Sequence, residues 1–140
     1  MYNSEGQTRV MLGANDLNNG LTIYDYGQRG RLLVGVDPDE KPWIAIGDGN
    51  DAQRIKISIK PDGSPSIYLC DNQSRPLLTL GVRDDSHGVF LCYEAGKLRT
   101  FLVQFSKHGP SIMMVDENGE IIFYATESES ESYVLFVSAI

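Results

Sequence analysis

Cysteine, histidine and tryptophan are scarce here: two, two and one among 140 residues, and no apolar run exceeds five. Each shortage closes a door. Without Cys-x-x-Cys or His-x-x-x-His there is no spacing for a structural zinc site, and His87 and His108 stand alone in separate loops. A spanning helix needs roughly 20 apolar residues, so no membrane insertion by a helix is expected. Trp43 alone gives a sugar ring little to stack on. Basic residues are also short, 12 Lys and Arg against 19 Asp and Glu, for a net charge of −7. They are scattered rather than gathered on one face, which argues against nucleic acid, whose phosphates reward a basic patch. The amino terminus "MYNSEGQTRV" has neither a basic start nor an apolar segment, so the cytoplasm is the default compartment. Helical spacing is missing throughout.

What is present is a repeat. Short strands of period two end in an anchor residue: "LTIYD" at Asp25, "IAIGD" at Asp48, "IYLCD" at Asp71 and "IMMVD" at Asp116, with "VFLCY" at Tyr93 in the same slot. The anchors recur every 22 or 23 residues, and Asn3 begins the series. Six residues past four anchors stands an arginine: Arg9, Arg31, Arg54 and Arg99. Two turns join the strands of each beat. One, as in "DENGE", carries Asn118-Gly119, suited to the positive φ of a tight hairpin; the other, as in "KPDGSP" or "DPDEKP", is rich in Pro, Asp and Gly. The beat is thus a two-stranded hairpin, occurring about six times within a single all-β domain spanning 1–140.

The ends are half-units: "YNSEGQTRVMLG" is a turn and second strand, and "YVLFVSAI" a first strand. Pairing residues 133–140 with 8–14 would complete a sixth hairpin and remove exposed edges. The expected fold is all-β, an antiparallel up-and-down meander of about twelve strands, forming a closed or flattened barrel with its N- and C-terminal strands paired. The alternative is a two-sheet β-solenoid. Cys70 and Cys92, near-equivalent in adjacent repeats, would be bridgeable neighbours only in the solenoid.

D-x-x-G-x-x-R followed by D-G-x-P, carried here by Asp116 and Gly119 and by Asp62, Gly63 and Pro65, resembles short tandem repeats of uncharacterised bacterial β-hairpin proteins. The resemblance spans nearly the whole chain and implies a fold but no activity. Tyr93 departs from it at an anchor, and Ser74-Arg75 replaces a Gly turn.

Alternation assigns two faces. Ile23, Ile46, Leu69, Leu91 and Met114, with Leu12, Val34, Ile57, Leu80 and Leu102, form a wholly aliphatic set expected to turn inward. The second face holds Tyr24, Leu33, Tyr68, Phe90, Phe101, Met113 and Tyr124, too aromatic for a surface bathed in water. These seven are the candidate interaction face. The competing reading is that Tyr, Phe and Thr simply favour strands.

Paired anchor Asp and Arg, as in Asp25 with Arg31 or Asp48 with Arg54, invite an acid–base reading. Four similar copies on separate hairpins argue for turn structure instead, because a catalytic site is one converging constellation. Inter-repeat loops holding Asp16, Asp37, Asp39, Asp84, Asp85, Glu127, Glu129 and Glu131 gather acid at one rim. "DPDE" and "DDSHG" nonetheless lack the ligand spacing of a calcium loop. No nucleophile elbow and no phosphate loop opening a helix occurs. No enzyme and no cofactor is expected. The functional expectation is a non-enzymatic structural or interaction module that associates with itself or with another protein, through an apolar outer face or its terminal strands. The alternatives are a barrel holding a small apolar ligand and an exported surface domain gripping a glycan or protein through its loops.

Overall fold

A computed structural model describes residues 1–14, 19–50, 52–83, 85–93, 96–107, 109–127 and the backbone of 132–136. Asp16, Asp84, His108, Glu129 and Glu131 lie outside the described residues. The strands are β1 (Val10–Ala14), β2 (Asn19–Tyr24), β3 (Gly30–Val36), β4 (Pro42–Gly47), β5 (Gln53–Ile59) and β6 (Pro65–Cys70), then β7 (Pro76–Arg83), β8 (Ser86–Tyr93), β9 (Lys97–Phe105), β10 (Gly109–Val115), β11 (Ile121–Glu127) and β12 (Ser132–Phe136). They fall into two compact units, Met1–Arg75 with β1 to β6 and Pro76–Ile140 with β7 to β12. In each, consecutive strands pair antiparallel in chain order. That is the up-and-down meander, and antiparallel neighbours exclude the solenoid, whose coils stack equivalent strands in parallel.

The strands are cut to length by one repeated turn. In residues 25–29 the Asp25 carbonyl accepts from Gln28 N–H at 3.1 Å, and Asp25 N–H donates to the Arg29 carbonyl at 3.0 Å. The same pair of bonds closes 3–7, 37–41, 60–64, 71–75 and 116–120. The fourth residue of each is left-handed: Gly6, Gln28, Glu40, Gly63, Ser74 and Gly119. The two turn types expected from composition are therefore, in these places, one backbone form, a type I turn closed by a left-handed residue. At 116–120 only Gly119, and not Asn118, takes positive φ. The recurring anchor now has its reason. Asp25 Oδ1 accepts from the N–H groups of Gly27 (2.8 Å) and Arg29 (3.0 Å), satisfying donors the turn leaves free. Asn3, Asp37, Asp71 and Asp116 do the same. A register shift follows beside the turn at Ile23/Tyr24, Ile46/Gly47, Leu91/Cys92 and Met114/Val115.

Two expectations are corrected. Of the closed and flattened forms expected, only the unclosed one stands, and the N- and C-terminal strands are not paired: among the named strands β1 pairs only with β2 and β12 only with β11. At its first residue, Val10, β1 is bonded by the chain's own start: the Met1 carbonyl accepts from Arg9 and Val10 N–H and the Met1 amine donates to the Val10 carbonyl. The aliphatic set does not turn inward either. Ile46 is 44% exposed, Ile57 42% and Leu102 45%, whereas the buried strand residues, Ala45, Gly47, Val103, Ser66, Ser86 and Ser111, all sit on the other face. Among the described residues no large side chain is fully buried. A two-layer fold would hide one face against a second layer; in each unit that layer is not part of the sheet.

Candidate functional site

Register turns the alternation into rows. On the aliphatic face of the first unit, pairing links Leu12, Leu21, Val34, Ile44, Ile57 and Ile67 across six strands. Beside it runs Val10, Ile23, Leu32, Ile46, Ile55 and Leu69. Neither row contains a polar or charged side chain. Branched residues facing one another across antiparallel strands hold the sheet together laterally, but nothing in the unit covers their outer surface. In the second unit the corresponding rows are Leu80, Val89, Leu102, Ile112 and Ala125, and Leu78, Leu91, Thr100, Met114 and Phe123. There the face is less uniform, with exposed His87 paired to Val82 and Gln104.

On the opposite face the structure brings some of the predicted residues together. Phe90, Phe101, Met113 and Tyr124 form one unbroken row in the second unit, continued by Thr79. Leu33 and Tyr68 share a row in the first unit, separated by Ala45 and Lys56, with Tyr24 one position along. All seven are half-buried. Flanking side chains account for some of that cover, as when the Arg83 guanidinium lies 5.1 Å from the Phe90 ring centre. The exposed hydrocarbon therefore lies mainly on the aliphatic face, whose residue pattern predicts an interior. The signal that could have found it is its purity: two adjacent rows without one polar residue over β1 to β6, flanked on that face by Asn19, need a cover, whether inside the chain or outside it.

Next to the row of Thr22, Leu33, Ala45, Lys56 and Tyr68 in the first unit runs Gly13, Gly20, Gly35, Trp43, Ser58 and Ser66. Three consecutive glycines leave a trough paved by backbone, and Trp43 lies against Gly35, within 3.4 Å of where its Cβ would stand. The resulting cavity, about 470 Å³, is lined by Met11, Thr22, Tyr24 and Leu33 among others.

The anchor pairs are formed as expected. Arg31 Nη1 lies 3.3 Å from Asp25 Oδ2, and Arg54 Nη1 lies 3.2 Å from Asp48 Oδ2. Arg29 joins Asp25 at 3.2 Å, and Arg75 meets Asp71 at 2.6 Å. These carboxyls are held below the usual range. For Asp25 and Asp71 the largest cause is the backbone N–H of the arginine four residues on; for Asp48 it is Asn50 N–H. An acid held ionised at a turn, one per hairpin, is a structural acceptor rather than a general acid. Cys70 and Cys92 are free, and burial pushes both thiols up, away from the thiolate a nucleophile needs. Among the described residues no three His, Cys, Asp or Glu side chains converge to hold a metal.

No protein-family model matches the chain, and no curated protein matches its sequence.

Proposed function

We propose that this chain is a non-enzymatic interaction module: a β-scaffold whose aliphatic face in the first unit is its docking surface. The observation that carries the reading is the pair of six-residue rows running from β1 to β6 without a polar side chain, eight of the twelve members exposed and the other four half-buried. Contiguous apolar surface of that kind on a folded chain marks a place where something binds. The ionised groups support it, because Arg31, Arg54 and Lys56 stand on the opposite face and Asp25 and Asp48 at the turns, where they do not oppose burial. The test is an environment-sensitive apolar dye. The wild type binds it or shows a mass above one chain, and Ile44→Lys abolishes the behaviour while keeping a β-sheet circular dichroism spectrum. A monomeric wild type that binds no dye overturns the reading.

A second reading rests on the 470 Å³ trough beside Trp43, which has room for a small apolar ligand. Native mass spectrometry of freshly purified protein decides it: a retained mass lost in Gly13→Leu supports the ligand, and a bare chain mass ends it.

A further inference from the structure

Resting on the docking-surface reading, we infer that the cover of the first unit's aliphatic face is a second copy of this chain, packed face to face across β1 to β6. Area is the first argument. The chain exposes 9754 Å², whereas a compact chain of 15.5 kDa exposes about 7,200 Å². An excess of about 2,500 Å² per chain, about 5,000 Å² for two copies and shared between the two units, leaves room for the about 2,000 to 5,000 Å² in total that the subunits of an obligate homodimer hide from each other.

Self-complementarity is the second argument. A two-fold interface sets one patch against itself, so any charge on it meets its own kind. The row from Leu12 to Ile67 and its neighbour contain none, and a surface of branched aliphatic side chains interdigitates with its own copy at about 10 Å, as stacked sheets do. The chain's net charge of −7 would repel a second copy, but the acidic turns keep that repulsion at the margins, where salt screens it. A basic or polar partner would find no complement on this face. The second unit's face, broken by His87, Thr100 and Gln104, is the poorer seat.

The experiment is sedimentation of the full chain over a range of concentrations. The expected species is a dimer of about 31 kDa, twice the 15.5 kDa chain, tightening with added salt. Ile57→Lys weakens it at least about 100-fold, the cost of burying an unpaired charge, while Lys56→Ala, one residue away on the opposite face, leaves it unchanged. A gentler probe guards against misfolding. In a Cys70→Ser, Cys92→Ser background, the thiol of Ile57→Cys is alkylated more slowly as protein concentration rises. A wild type monomeric at about 100 µM overturns the pairing, as does a dimer indifferent to Ile57→Lys. If that monomer still binds apolar dye and Ile57→Lys does not, only the second copy is refuted and the docking surface stands; a monomer without dye binding refutes both.

Discussion

Gly20 and Gly13 are paired neighbours in one row of the sheet, yet alanine should act in opposite directions at the two positions. A Cβ added to Gly20 meets the Val34 carbonyl oxygen and stands 2.9 Å from the Gly35 Cα, where carbon atoms rest at about 3.5–4.0 Å. Both obstacles are backbone, so no side chain can swing aside and β2 must move relative to β3. Forcing atoms into an occupied space costs about 1–3 kcal/mol. Weakening one or two ladder hydrogen bonds between Gly20 and Val34–Gly35 adds about 1 kcal/mol each. Gly20→Ala should therefore destabilise by about 3 kcal/mol. A Cβ on Gly13 meets nothing within 4 Å, and Gly13 is not left-handed. There alanine gains about 0.5–1 kcal/mol by restricting the unfolded chain. Urea unfolding at one fixed protein concentration, followed by fluorescence of Trp43 in the same unit, reads both. Gly20→Ala falling within 0.5 kcal/mol of wild type (about the experimental scatter) would refute the close strand approach on which the trough depends.

Three further outcomes follow from local chemistry. Ser66 Oγ is buried without a hydrogen-bond partner, the residue being 2% exposed, so Ser66→Ala should stabilise by about 1 kcal/mol in the same urea assay. Glu40 is held at φ 61°, and its side chain is exposed; Glu40→Gly should gain about 1 kcal/mol of relieved backbone strain, whereas Gly119→Ala at φ 87° should lose a similar amount. The carboxyls of Asp25, Asp48, Asp71 and Asp116 all titrate lower in the folded chain than their ordinary value. Their contribution is thus fully present above about pH 4, the unfolded value, and is lost as pH falls through the lowered folded values. Urea midpoints measured from pH 6 down to pH 2 should fall in that window, and Asp71→Asn, which keeps the acceptor oxygen, should flatten the fall. A midpoint that rises on acidification contradicts the sign.

Much of the fold could be read from residue order. Alternation in "RIKISIK" places Ile55, Ile57 and Ile59 on one face, and the structure agrees; the anchors mark the turns because an Asp there saves two backbone donors from going unpaired. The pairing of Asp25 with Arg31 and Asp48 with Arg54 was equally legible, since a hairpin of fixed turn length brings anchor and anchor-plus-six together. The row of Phe90, Phe101, Met113 and Tyr124 was readable as a set, because 22- and 23-residue spacing aligns equivalent positions across strands.

Which face is covered was not legible. Period two says that Ile46 and Ala45 point apart, and it is silent on which of them meets solvent. That is decided by what lies above each face, a property of the assembled unit and not of any strand. The same holds for closure. Residue pattern alone permits β12 beside β1, and the strand pairing, with Met1 bonded to Val10 at the start of that edge, decides otherwise. Local chemistry along the chain thus determined strands, turns and the two faces, because those depend on neighbours a few bonds away. The tertiary structure decided exposure and closure, because these depend on atoms brought together from strands far apart in sequence.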